Sequence, residues 1–328
     1  MKNLRPFFVF LGALALAYLV WDYGLTQLLK DLQTAGWWSV LLVLTFIPTL
    51  VCYALAWSLL TEWENPFSPK NLWRMIRMMG ASIAWNNLTP FLKVGGEPAK
   101  VFMLGAYIGR RKALMSTLIY NLVHLLATLF SFISVAFILP LFYPINQVGR
   151  WLCLGIGSLG LLIFLAIVFF PILWRKVLSH KLYAFFVKMN LEKSVIRFRW
   201  VTRKTSQFFI RHRERVVIAF FLEVFARFVE GLTFYLAFIL LKNPISFLTS
   251  CFLEVGRSLA DTIFFFVPYQ VGSREQGVGF LLKDVFHHGS HGFLTAVFMY
   301  RFVEIAWVLI GYLLWVKSRS TPLSKADK

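Results

Sequence analysis

The chain has 328 residues, 59% of them hydrophobic and 18% aromatic, with a mean hydropathy of +0.68. A soluble domain is about 45–50% apolar, so this composition excludes water as the main solvent of the fold. Thirty-four Lys and Arg against fifteen Asp and Glu leave a net charge of +19, which in so apolar a chain fits basic loops facing anionic lipid, with no nucleic acid as partner.

A bilayer core about 30 Å thick takes roughly 20 apolar residues per spanning helix. Six stretches meet that length: about 5–23, 37–60, 113–139, 150–173, 216–241 and 292–316. The first looks like a signal peptide but lacks a small-x-small cleavage site, and it is read as a retained first helix. Trp37 and Trp38 suit an interfacial anchor. Cys52, Cys153 and Cys251 are far apart in apolar runs, so neither a disulfide framework nor a zinc site is expected.

Two further apolar regions, 71–110 and 245–286, are interrupted near their middles. Thr89-Pro90 through Gly95-Gly96-Glu97-Pro98 breaks the first, and Pro268 through Gly272 breaks the second, because proline removes a backbone donor and glycine disfavours continued helix. Broken backbone at membrane depth is tolerated only inside protein or along a watery cavity. Each region is therefore read as a re-entrant helical hairpin.

The Lys and Arg positions set the orientation. With the N-terminus in the cytoplasm, Lys2, Arg5, Lys70, Arg74, Arg77, Arg110, Arg111, Lys112, the 174–215 connection and Lys317, Arg319, Lys325 and Lys328 all fall inside, while Lys30, Arg150 and Lys242 fall outside. Three full crossings then separate the hairpins, so they enter from opposite faces. Pro90-x-x-x-Val94-Gly95-Gly96-Glu97 and Pro268-x-x-Val271-Gly272-x-x-Glu275 also share one Pro-to-Glu separation. The expected fold is an all-α polytopic membrane protein built as an inverted repeat, 37–139 and 216–316, joined by the connection 174–215.

Ionised side chains inside a membrane are costly and mark pairs or pathways. Glu223, Arg227 and Glu230 recur at i, i+4, i+7 on one helix; Glu254, Arg257 and Asp261 at i, i+3, i+7 on an arm of the second hairpin; Arg301 and Glu304 at i, i+3 on the last helix. They are expected to converge with the Arg274-Glu275 tip on one polar cavity; the alternative is that each group neutralises itself along its own helix. Arginine binds phosphate oxygens bidentately, so a phosphate-bearing headgroup suits such a cavity.

The first break offers Asn86, Asn87, Thr89, Lys93, Gly95, Gly96, Glu97 and Lys100, where glycines admit a ligand to the main chain and a helix N-terminus favours an anion. Glu97 reads either as a helix cap or as a substrate or proton site. Asn121 and His124 share a face of the next helix, His124 as a packing residue or a proton relay. His287, His288 and His291 form a cluster without an accompanying carboxylate motif, so no metal is assigned. No Walker loop or Gly-x-Ser-x-Gly occurs, so neither a cofactor nor a catalytic role is expected.

The 174–215 connection carries twelve Lys or Arg against Glu192 and Glu214. Leu182, Phe185, Phe186 and Met189 recur at helical spacing, so an amphipathic helix on anionic inner-leaflet lipid is one reading and a purely topogenic segment the other. Gly155, Gly157 and Gly160 could serve helix contacts within the chain or in a homo-oligomer.

Asn87-x-x-Pro90, Gly95-Gly96-Glu97-x-x-Lys100, Gly109, the second Pro268-to-Glu275 motif and Arg301-x-x-Glu304 together resemble the flippase-like transmembrane family named after the membrane region of lysylphosphatidylglycerol synthase, which includes hopanoid-associated membrane proteins. The resemblance covers nearly the whole chain and implies translocation of lipid between leaflets of a cell inner or plasma membrane. Members that aminoacylate lipid carry a further soluble domain; with Lys328 as last residue that activity is not expected here. The second break has Ser273-Arg274 before its glutamate where the first has Gly96, so the halves need not share a ligand role. Other classes consistent with the sequence are a membrane-embedded enzyme acting on terpenoid lipid or lipid-linked sugar, and an accessory subunit of a lipid-biosynthesis complex.

Overall fold

The computed structural model describes residues 21, 24–63, 65–89, 95–145, 147–177, 192–265, 267, 270–287 and 292–319. The expected span 5–23, Lys93, Pro90, Pro268, His288, His291 and the apolar run Leu182–Met189 lie outside them. The described elements are α1 (Leu25–Ala35), a 3-10 segment (Gly36–Thr45), α2 (Phe46–Leu59), α3 (Pro69–Leu88), α4 (Gly96–Ile108), α5 (Arg110–Phe142) and α6 (Gln147–Val177), followed by α7 (Glu192–Arg211), α8 (Arg213–Leu240), α9 (Phe247–Ile263), α10 (Ser273–Phe280) with a π turn (Leu281–Val285), and α11 (Phe293–Arg319). The protein is all-helical among these residues.

Among the described residues, four segments are long and apolar enough to cross a membrane: Leu25–Leu59, Arg110–Phe142, Gly149–Phe169 and Phe293–Val316. The second, third and fourth match expected spans. The first begins 12 residues before the expected residue 37, because Gly36, at φ 60, joins α1 to the 3-10 segment instead of starting a helix. α8 covers the expected 216–241 but carries Glu223, Arg227 and Glu230 along its length. α6 also runs on to Val177, into what the sequence suggested was connection.

Both interrupted regions are helix–break–helix units whose arms pack together, α3 on α4 and α9 on α10. Pro69 at the first position favours the start of α3. The helix stops at Leu88 because a residue before proline is pushed out of the α region, and Thr89 is extended at φ −87, ψ 113. Its hydroxyl caps the end, donating to the Asn86 carbonyl at 2.9 Å. α4 restarts where the Gly96 N–H donates to Asn86 Oδ1 at 2.7 Å. A Cβ on Gly96 would sit 2.5 Å from the Ser82 carbonyl oxygen, so the close return of the chain onto α3 requires glycine.

In the second unit, Ser246 caps α9 by accepting from the Thr249 N–H at 3.0 Å. The chain between α9 and α10 turns through Gln270 at φ 49 and Gly272 at φ 81. Glu275 then reaches back to accept the Gly272 N–H at 2.8 Å, stabilising the first turn of α10.

α2, α3, α5, α8, α9 and α11 form the packed centre, with α2 against α8 and α3 against α11. α3 and α11 approach so closely at Gly80 and Gly311 that a Cβ on Gly311 would collide with the Gly80 carbonyl oxygen, the small-residue crossing common between membrane helices. α6 packs on α5 at the periphery, where Gly157 and Gly160 meet Phe137, Ala136 and Ile133. Only 6% of its most apolar window is buried, as suits a helix facing acyl chains.

Candidate functional site

Every charged group named from helical spacing lies in the packed centre. Arg227, on α8, donates to Thr128 Oγ1 at 2.8 Å and Ser258 Oγ at 3.3 Å, and contacts His124 Nε2 at 3.2 Å. Its nearest carboxylate, Glu230, is 3.7 Å away. Glu230 in turn accepts from the Tyr53 hydroxyl at 2.8 Å. His124 Nδ1 faces Glu223 Oε2 at 2.7 Å, and Glu223 is fully buried.

Further along α9, Arg257 is gripped by Glu254 and by Asp261 Oδ2 at 2.8 Å, and its guanidinium lies 4.6 Å from the centroid of the Tyr300 ring. Arg274, 1% exposed, reaches from α10 to Asp261 Oδ2 at 2.6 Å and to Glu304 Oε2 at 2.5 Å. Arg301 holds Glu275 at 2.5 Å and donates to the Gln270 carbonyl at 3.1 Å. The Arg274 and Arg301 pairs thus tie α9, α10 and α11 together, whereas Arg257 with Glu254 and Asp261 is neutralised along its own helix. Pairing along one helix accounts for Arg257, while Arg274 and Arg301 pair between helices. Buried charges of this kind survive only with such partners.

These networks border a cavity of about 340 Å³. Its wall takes Asn86 and Asn87 from α3, Arg227 and Glu230 from α8, Arg257, Ser258 and Asp261 from α9, and Tyr300 and Glu304 from α11. Glu230 Oε2 and Gln270 Oε1, both at this cavity, are buried and accept no hydrogen bond from the protein. Arg274 and Arg301 do not line it; they stand behind the wall and fix Asp261, Glu304 and the Gln270 turn.

Glu97, Lys100 and Asn121 form a separate group. Lys100, 5% exposed, donates to Glu97 Oε1 at 2.9 Å and Asn121 Oδ1 at 3.4 Å, and lies 4.7 Å from the centroid of the Tyr120 ring. The Asn121 amide closes the triangle on Glu97 Oε2. Gly95 and Gly96 stand at the start of α4 and, with Glu97, Lys100 and Asn121, do not line the cavity. Asn87 lines it, and donates to the Ile83 carbonyl at 3.1 Å.

Tyr53, Thr128, Ser258, Gln270 and Tyr300 were not singled out from the sequence. Neutral residues on helix faces carry no charge signal, although Ser258 follows Arg257 and Thr128 follows His124 by one turn. His287 contacts the Pro144 carbonyl at 3.2 Å. Among the described residues no three His, Cys, Asp or Glu are grouped to hold a metal.

The family model described as Lysylphosphatidylglycerol synthase TM region matches residues 7–311. The chain belongs to this family. The match spans every element of the central packing, so membership of the lysylphosphatidylglycerol synthase TM region family supports a multi-pass membrane protein with a lipid-related role. A UPF0104 membrane protein of Methanothermobacter thermautotrophicus is 33% identical over 109 residues, covering 33% of this chain and 31% of that protein. This chain therefore matches about a third of that relative's length. No solved structure matches.

Proposed function

We infer that the protein is a lipid translocator, which passes the headgroup of a phospholipid or lipid-linked substrate through the central cavity while the tails remain in the bilayer. The observation that carries this reading is a cavity walled by Arg227, Arg257, Glu230, Asp261 and Glu304 inside a molecule whose outer helices are apolar. Arg227 is the guanidinium least committed to a carboxylate and suits a phosphate oxygen. Glu230 Oε2 and Gln270 Oε1 suit donors, so the headgroup is read as a phosphate that also carries hydroxyl or ammonium groups. Asp261 and Glu304 at the wall are held by arginines, which fixes the shape of the cavity.

An inverted repeat supplies the machinery. Equating α2, α3, α4 and α5 with α8, α9, α10 and α11 pairs like contacts with like: α2 packs on α8, α3 on α11 as α9 on α5, and α2 on α5 as α8 on α11. Glu97 and Glu275 each open the arm after a break and each reach the following long helix, at Asn121 and Arg301. Two re-entrant hairpins entering from opposite faces, with both termini cytoplasmic, fit this exchange. The ends of the molecule fit as well, since Glu62, Arg111 and Trp200 gather at one and Pro144 and His287 at the other.

The test is reconstitution of purified protein into vesicles carrying a fluorescent phospholipid in the inner leaflet. Faster leaflet exchange than in protein-free vesicles supports translocation. Unchanged exchange with every headgroup and ion gradient, or chemical conversion of the lipid, rejects it.

A further inference from the structure

A second cavity, of about 210 Å³, shares no lining residue with the first. It lies where α7 meets the first turns of α5 and the turn after α2. Arg111, Lys112 and Lys204 bring three positive charges to it and Glu62 one negative, a surplus of two. Among the described residues none of the three cations is in an ion pair, in contrast to Arg257, Arg274 and Arg301 in the centre. Arg111 and Lys112 sit in the first turn of α5, where backbone N–H groups lack intrahelical acceptors and add to the attraction for an anion.

The rest of the wall is apolar. Leu60, Ile119 and Phe208 are buried there, and Trp200, 46% exposed, stands at the rim. Tryptophan at such a rim suits the headgroup level of a bilayer. A soluble anion would use the cations and leave this wall idle, whereas a phospholipid uses both. Phe208 is also a residue by which α7 is fixed to the core, so an occupant here touches the basic connection and the start of α5 together.

We propose that this cavity is a second lipid site, which seats the phosphate of an anionic phospholipid on Arg111, Lys112 and Lys204 with the upper acyl chain along Ile119 and Phe208. It lies at the face richest in Lys and Arg, that of the cytoplasmic leaflet under the positive-inside rule. The site does not depend on translocation through the centre, and a protein that never moves lipid could still hold one here.

The experiment is native mass spectrometry of the full chain released from phosphatidylcholine nanodiscs with and without phosphatidylglycerol. The expected result is preferential retention of phosphatidylglycerol, weakened about fivefold for each of Arg111→Gln, Lys112→Gln and Lys204→Gln, since a cation near a membrane surface contributes about 1 kcal/mol. These side chains are exposed, so the variants should elute as the wild type does on size exclusion. Arg203→Gln, next to Lys204 but off the cavity wall, should retain the lipid normally. Equal retention of phosphatidylcholine, an equal loss in Arg203→Gln, or displacement of the lipid by inorganic phosphate would overturn the proposal.

Discussion

Arg227 Nη2 and His124 Nε2 lie 3.2 Å apart, and this contact fixes the state of the histidine. A guanidinium can only donate, so Nε2 accepts and the ring proton sits on Nδ1, donated to Glu223 at 2.7 Å. The imidazole joins a buried carboxylate to the arginine at the cavity wall. The two sequence readings of His124, packing residue and proton relay, share this arrangement.

Replacing His124 by Phe removes the donor to a carboxylate that is fully buried. The expected cost is about 1–3 kcal/mol, read as a lower thermal midpoint in detergent. Glu223→Gln in the same background should recover part of the loss, because an amide in that position strands no charge. A double variant no more stable than His124→Phe would reject this pairing.

Arg274 bridges Asp261 and Glu304 from the start of α10 and is 1% exposed. Arg274→Met takes the guanidinium from Glu304 and leaves Asp261 with Arg257 as its arginine partner, at a cost of about 3–5 kcal/mol. Arg274→Lys should recover little, since an ammonium cannot span both acids as a planar fork does. Thermal unfolding of the two variants beside the wild type decides the point.

The Gly80–Gly311 crossing sets the spacing of α3 and α11. Gly311→Ala places a methyl against the Gly80 carbonyl and should destabilise by about 1–3 kcal/mol, the usual range for overpacking. Gly155→Ala is the control, because a Cβ there meets nothing within 4 Å. Equal stability of the two variants would contradict the crossing.

Much of this arrangement was legible from residue type and spacing. Proline and glycine announced both helix breaks, and charge at i, i+3 and i+4 announced the polar faces of α8 and α9. Which arginine meets which acid was not legible, since Arg274–Glu304 and Arg301–Glu275 depend on how α10 and α11 pack and not on position along one helix. The separation of Glu97, Lys100 and Asn121 from the cavity was hidden for a similar reason: Trp57 and Tyr120, which carry no charge signal, provide the ring faces beside Lys100. The α1 segment was too polar, with Lys30 and Asp31, to be read as part of a span.

The proposed inverted repeat, with hairpins entering from opposite faces, predicts a labelling pattern. Phe67→Cys, before α3, and Lys242→Cys, before α9, are both exposed positions. In a Cys153→Ser background, with Cys52 and Cys251 buried, a membrane-impermeant maleimide added outside intact cells should label the second and not the first. Labelling of both from one side would exclude the inverted repeat.

The central cavity is tested most directly by filling it. Thr262 lies at its wall and is exposed, so Thr262→Trp should fit without disturbing the packed helices and should occupy the space assigned to the headgroup. In reconstituted vesicles, with the thermal midpoint unchanged, lipid exchange in this variant is predicted to fall to the protein-free rate. Exchange as fast as in the wild type would contradict passage through this cavity.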